Sequence, residues 1–251
     1  MITKNTVKSI QSLKQQKYRN EYQLFVVEGR KMVEELLQSS FEICYQFVTE
    51  KFLNEHPMDI SGWEIATEVQ MKQMSGLDTP PGILAVARIP KRNLPSKDDS
   101  EMVLALDGIA NPGNMGTIIR TAEWFGINQI ICSEDCVELW NPKVIQATMG
   151  SIFRMNIATV NLASYLDEKI KSGKRIYGAL LEGESIFKKA QWDDGVIVIG
   201  SESHGIRKEI LPYITHPITI PRAEGSVTES LNASMAAGII MAEVNSRRGK
   251  L

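Results

Sequence analysis

At 251 residues, with 43% hydrophobic and 23% charged side chains, the chain has room for one large domain or two small ones, and its proportions are those of a soluble globular protein. A formal net charge of −2 excludes recruitment of a polyanion by overall charge, so any basic surface has to be local. Three cysteines (Cys44, Cys132, Cys136) and three histidines show neither disulfide-framework nor zinc spacing, there is no apolar signal core, and no apolar run could span a bilayer; the expectations are no metal, no membrane and a cytoplasmic location.

In chain order, Lys4, Lys8, Lys14, Lys17 and Arg19 precede any acidic residue and lie over a helical stripe of Val7, Ile10 and Leu13. Such a run is either a solvated face or a face for an RNA backbone. Residues 24–27 read as a buried strand closed by a glycine turn at Gly29, followed by a helix over 32–37. Strands are expected at 43–48 and 63–66, a helical piece at 71–74, and an apolar run at 83–89 after Pro80-Pro81-Gly82. Alternating helix and strand predicts a small α/β domain over 1–95. The polar, charged, proline-bearing stretch 90–100 is the best linker.

A second domain, 101–251, starts with a compact apolar strand at 102–106. It opens onto Asp107-Gly108-Ile109-Ala110-Asn111-Pro112-Gly113-Asn114-Met115-Gly116 and a helix that Gly126 stops. The loop is not a P-loop, because Asn114-Met115 stands where Lys-Ser/Thr is required, nor is it G-x-G-x-x-G. Arg120 within the helix reads, on its own, as an exposed i,i+3 partner of Glu123. Strands follow at 129–132, 157–160 and 175–181, with helices at 143–149 and 162–170. The unbroken apolar run 196–199 predicts a central parallel strand buried on both faces. It ends in Gly200-Ser201-Glu202-Ser203-His204-Gly205, before an expected helix over 206–211 and a strand at 218–220. Locally, Glu202 reads as a helix cap and His204 as a surface histidine.

The last informative stretch is Ile220-Pro221-Arg222-Ala223-Glu224-Gly225-Ser226-Val227-Thr228-Glu229-Ser230-Leu231-Asn232-Ala233-Ser234. Pro221 suits a strand end, Gly225 a turn, and Ser226 with Glu229 the spacing of a capping box, which predicts a helix start there. Ser230, Leu231 and Asn232 then lie where a ligand meets side chains, free backbone N–H groups and the positive end of a helix dipole. Ligands of parallel α/β sheets bind beyond the carboxyl ends of strands, and three glycine- or serine-rich loops follow strands in that way.

Together the segments 111–126, 197–206 and 220–234, with Met149-Gly150-Ser151-Ile152-Phe153-Arg154, resemble the SpoU, or TrmH-like, RNA 2′-O-ribose methyltransferases of the SPOUT superfamily. The amino-terminal part is similar to the small ribosomal-protein-like substrate domain that often precedes this catalytic domain. The resemblance implies a parallel α/β sheet with its carboxyl-terminal segment threaded as a trefoil knot, a homodimer with the active site near the subunit interface, and S-adenosylmethionine in the knot. It places Gly200, Ile220 and Leu231 at cofactor positions, and Arg120, Asn114, Glu202, Ser230 and Asn232 at functional polar positions. Arg120 then has two open roles, because a free guanidinium stays protonated far above neutral pH. It anchors the adjacent phosphate and polarises the 2′-hydroxyl, or it serves as base once bound substrate makes proton loss possible. Asn114 and Glu202 orient Arg120 or the ribose, and Ser230 and Asn232 hold the loop and the target nucleotide. One departure is a connection from Pro221 to Ser230 about two residues longer than the common pattern, with Arg222 where methionine is usual.

The implied activity is methyl transfer to a ribose 2′-hydroxyl, of ribosomal more than transfer RNA. The alternatives are a catalytically inactive RNA-binding assembly factor on the same scaffold, and methylation of a base.

Overall fold

In the computed structural model, residues 2–90, 102–189 and 191–248 are described; the expected linker at 90–100 lies, beyond Pro90, outside them. The chain forms two compact units, Met1–Lys91 with Glu138–Arg154, and Arg92–Val137 with Met155–Leu251.

The first unit holds a mixed four-stranded sheet, β1 (Leu24–Glu28), β2 (Ile43–Thr49), β3 (Glu64–Ala66) and β4 (Ile83–Arg88), in the order β1-β4-β2-β3. β4 runs antiparallel to both neighbours, whereas β2 and β3 are parallel. Among the described residues the helices of its amino-terminal stretch are α1 (Lys4–Ser12), α2 (Gln16–Tyr22), α3 (Arg30–Leu37), α4 (Glu50–Glu55) and α5 (Glu68–Met74). The Val7, Ile10 and Leu13 stripe packs with Met71, Met74, Leu84 and Val86 in one core. α2 and α4 escape periodicity because each is short and has little apolar surface; α4 is held by its cap, Thr49 Oγ1 accepting the Phe52 N–H at 3.2 Å.

Arg19 departs from the basic run read in the sequence. It is 2% exposed, ion-paired with Glu138, and its Nη1 donates to the carbonyls of Leu13 at 2.7 Å and Lys14 at 3.0 Å. It is therefore a structural residue. Trp140 and Phe153 complete an aromatic cluster in this unit, with ring centroids 4.5 Å from Phe25 and 5.6 Å from Phe41 respectively.

The second unit is built on a six-stranded sheet, β10-β8-β9-β5-β6-β7, parallel at every pairing. Its strands are β5 (Val103–Asp107), β6 (Gln129–Ser133), β7 (Asn156–Val160), β8 (Arg175–Ser185), β9 (Gly195–Gly200) and β10 (His216–Thr219). β5 and β9 are central and buried almost throughout, as the apolar run predicted. The helices are α6 (Pro112–Trp124), α8 (Leu162–Lys171) and α9 (Ala233–Arg247); α7 (Pro142–Thr148) belongs to the first unit. α6 packs on α9. Among the described residues no helix is long and apolar enough to cross a membrane.

Two sequence expectations fail here. Residues 206–211 form turns leading into a 3-10 turn at Leu211–Tyr213, not a helix. The Arg207 N–H goes to the Asp107 carboxylate at 2.7 Å, and Pro212, which has no N–H, cannot carry a helix begun at 206 through its second turn. Likewise no helix starts at Ser226. The Ser226 N–H closes a turn on the Ala223 carbonyl at 3.2 Å, about Gly225 at φ +79°, and α9 starts only after Asn232. The apolar sequence that can hold a helix against the sheet begins at Ala233, so Asn232 supplies the cap.

Candidate active site

The site grows from three chain segments of the second unit, and the side chain that opens each one is fixed by local backbone chemistry. At the head of α6 the Asn111 Oδ1 accepts the N–H groups of Gly113 at 2.8 Å and Asn114 at 3.1 Å, with Pro112 in the first turn, where no donor is needed. At the end of β9 the chain folds back at once. Ser201 and Gly205 exchange backbone hydrogen bonds of 3.1 and 2.8 Å, with Gly205 at φ +66°. Glu202 occupies the tip of this loop. At the head of α9 the Asn232 Oδ1 accepts from Ser234 N at 3.0 Å, Met235 N at 3.2 Å and Ser234 Oγ at 2.6 Å.

That cap fixes which end of the Asn232 amide faces the other two segments. Its Nδ2 donates to Asn114 Oδ1 at 3.1 Å and to Glu202 Oε1 at 3.3 Å, and Asn114 Nδ2 also donates to Glu202 Oε1. Two amides thus converge on one carboxylate oxygen and fix the orientation of the acid. The other oxygen, Oε2, accepts nothing among the described residues, so the cluster presents a fixed, partly exposed acceptor.

The other expected site residues lie apart from this trio. Arg120 is exposed, with no hydrogen bond or ion pair among the described residues. It is six positions beyond Asn114 on α6, which places it about 9 Å along the axis and roughly 120° round the helix. Ser230 is exposed and bonded to neither asparagine, Leu231 is 46% exposed, and Ile220 follows the end of β10 half-buried. The backbone N–H groups of residues 227–231 make no hydrogen bond among the described residues. Arg222 closes the long loop by donating to the Thr228 carbonyl at 3.0 Å.

Gly200 has a reason the sequence does not suggest. A Cβ there would come far inside 3.0 Å of the backbone of Gly205 and Ile206. The space left by the missing side chain is filled by the protein's own returning loop, not kept open for a ligand.

Residues 101–242 match the model of the SpoU rRNA methylase family. The chain belongs to that family. Residues 4–85 match the MRM3-like substrate binding domain. Over 94% of both sequences this SpoU-family chain is 28% identical to the 23S rRNA (guanosine(2553)-2′-O)-methyltransferase RlmP of Bacillus subtilis. Its fold superposes on a TrmH-family protein from Porphyromonas gingivalis with a TM-score of 0.88, at 33% identity over 98% of this chain and 99% of the other. The AdoMet-bound rRNA methyltransferase of Sinorhizobium meliloti gives a TM-score of 0.84 at 26% identity, over 100% of this chain and 97% of that one.

Beneath the trio lies a polar network that sequence reading missed. Asp107, fully buried at the end of β5, accepts from the Arg207 backbone N–H and from its Nε, each at 2.7 Å. Arg207 also reaches Asp135 at 3.2 Å and Glu209 at 3.4 Å. Burial opposes the Arg207 charge, but the hydrogen bond and negative charge of Asp107, with Asp135 and Glu209, outweigh it and raise the pKa. Asp135 accepts from Ser133 Oγ at 2.6 Å, and Ser133 Oγ accepts from Gly108 N at 2.9 Å. The ends of β5, β6 and β9 are therefore tied together, and the Glu202 loop is pinned just past its return. The one sequence signal was an acid ending an otherwise apolar central strand, since a buried carboxylate demands a partner.

Cys136 belongs to the same layer. The hydrogen bond with Cys132 does most to lower its thiol to about 7, burial opposes this, and bonds from Ser133 and the Ile109 N–H assist.

Proposed function

We propose that this protein transfers a methyl group from S-adenosylmethionine to a ribose 2′-hydroxyl of ribosomal RNA, in the cytoplasm. The observation that carries the reading is the meeting of Asn114, Glu202 and Asn232 on one carboxylate oxygen, from segments as far apart as 118 residues. The family, and relatives named for ribosomal RNA, support the same substrate class.

The donor set fits the cofactor. Residues 227–231 offer unpaired backbone N–H groups beside the half-exposed Leu231, which suits an adenosine held by main-chain contacts. Ile220, Leu231 and the turn at Gly200 would hold it, and when bound it supplies an electrophilic methyl group. The protein's task is then to align the 2′-oxygen for attack and take up one proton. Glu202, held by two amides, keeps a free acceptor oxygen for a ribose hydroxyl. Ser230 and Asn232 hold the nucleotide, and the loop they flank forms the knot by threading. In this reading residues 1–95 bind the RNA and 101–251 carry the chemistry.

Arg120 acts from the second subunit of a homodimer. It shares one exposed stripe of α6 with Thr117 and Trp124, the latter 83% exposed, and Met235 at the head of α9 is 59% exposed. Apolar side chains exposed to that extent beside a free guanidinium suit a self-complementary contact across a two-fold axis.

Mapping 2′-O-methyl positions in total RNA, with and without the protein, tests the activity, and titration calorimetry with S-adenosylmethionine tests the cofactor. Absence of binding at millimolar cofactor would defeat the reading. Arg120→Ala leaves cofactor affinity intact and abolishes transfer; mixing it with a Glu202→Gln chain restores activity in the heterodimer, because one composite site is then intact.

A further inference from the structure

The first unit carries a feature that none of the chemistry above uses. Tyr18 and Tyr22, one turn apart on α2, stack with ring centroids 5.9 Å apart and planes 28° from parallel. The Lys17 ammonium lies 5.6 Å from the Tyr18 ring centroid. Tyr22 is 40% exposed, Tyr18 is half-buried and Lys17 is exposed. The surroundings are cationic. Glu21 is the first acid in the chain, and Lys4, Lys8 and Lys17 are exposed with no ion pair among the described residues. Arg19 is withdrawn from this surface by Glu138, and Lys14 is tied to the Gln73 carbonyl at 3.2 Å.

We infer that Lys17, Tyr18 and Tyr22 form a stacking platform for an unpaired base of the RNA substrate, a proposal that rests on the RNA reading above. Tyr22 is the more exposed of the two stacked rings, and a flat base can add to the stack there. Stacking asks for a base out of its helix, which is how proteins read single-stranded RNA. The lysines supply the phosphate attraction that the net charge of −2 cannot. A purely structural role, an i,i+4 contact between aromatic rings within a short helix, would add a few tenths of a kcal/mol to α2, and a leucine at position 22 would serve it nearly as well.

The test uses the full chain and a short fluorescein-labelled single-stranded oligoribonucleotide of mixed sequence, with anisotropy read over a salt series. Tyr22→Leu keeps the apolar contact and removes the flat face. It weakens binding about five- to a hundred-fold with the salt slope unchanged. Tyr22→Trp restores the affinity. Lys17→Ala lowers the slope of log K against log salt by about 0.7. Duplex RNA, whose bases stay stacked, binds Tyr22→Leu as it binds wild type. Wild-type affinity of Tyr22→Leu for the single strand overturns the platform while leaving the methyltransferase reading intact. A wild-type protein that binds no RNA overturns both. Unchanged circular dichroism and cofactor affinity of Tyr22→Leu establish that the loss is not one of folding.

Discussion

Gly200→Ala separates two reasons for a glycine beside a cofactor. If the missing side chain makes room for a ligand, alanine obstructs the ligand and leaves the fold alone. The structure says otherwise, because the new Cβ meets the backbone of Gly205 and Ile206 far inside 3.0 Å, and backbone cannot rotate out of the way as a side chain end can. The return loop must retreat by on the order of 1 Å, an overpacking that costs about 1–3 kcal/mol. Moving it also strains the two Ser201–Gly205 backbone bonds, each contributing about 1 kcal/mol. With both bonds lost the sum is about 3–5 kcal/mol, and it falls on the loop that carries Glu202. Gly205→Ala is the control: φ is +66° there, yet nothing lies within 4 Å of an added Cβ, so only the left-handed backbone opposes it, by about 1–2 kcal/mol. Thermal melts and calorimetry with S-adenosylmethionine are expected to show both stability and affinity falling in Gly200→Ala, the affinity by at least about thirty-fold, with a smaller loss in Gly205→Ala. A Gly200→Ala protein that melts like wild type and loses only cofactor binding would refute the loop argument and restore the ligand one.

Three other outcomes follow from the same geometry. Asn232→Asp keeps an oxygen for the α9 cap but sets a second carboxylate against Glu202, so melting changes little while methyl transfer collapses; Asn232→Ala loses the cap as well, and about 1 kcal/mol in denaturant unfolding. Asp107→Asn keeps the shape and removes the charge that pairs with Arg207, costing about 3 kcal/mol of unfolding free energy, the low end for a buried pair because Arg207 remains 32% exposed. Cys136, with its thiol near 7, alkylates with iodoacetamide at a rate half-maximal near that pH, whereas Cys44, raised chiefly by burial, lags into the alkaline range. The depressed Cys136 pKa also stabilises the fold, fully above the ordinary value of 9.0 and progressively less as the pH falls through 7, which unfolding midpoints of Cys136→Ser against wild type report.

What the sequence displayed, and what it hid, divides by the range of the forces involved. The apolar run of β9 and the stripe of Val7, Ile10 and Leu13 are local patterns, and they predict burial because period and hydrophobicity are written into neighbouring residues. The pairing of Arg19 with Glu138 spans 119 positions and that of Arg207 with Asp107 spans 100, so each cation reads as solvated until the fold supplies its acid. The last helix starts at Ala233, and not at Ser226, for a related reason. Ser226 and Glu229 have the spacing of a cap, but a cap is selected only where an apolar helix can pack, and that is a property of α9 against α6 and β9. Asn232 therefore holds the helix with its oxygen and the Glu202 carboxylate with its nitrogen. Since one amide does both, α9 cannot fray at its head without loosening the acid, and the integrity of the site becomes a direct measure of how well the carboxyl-terminal helix is docked.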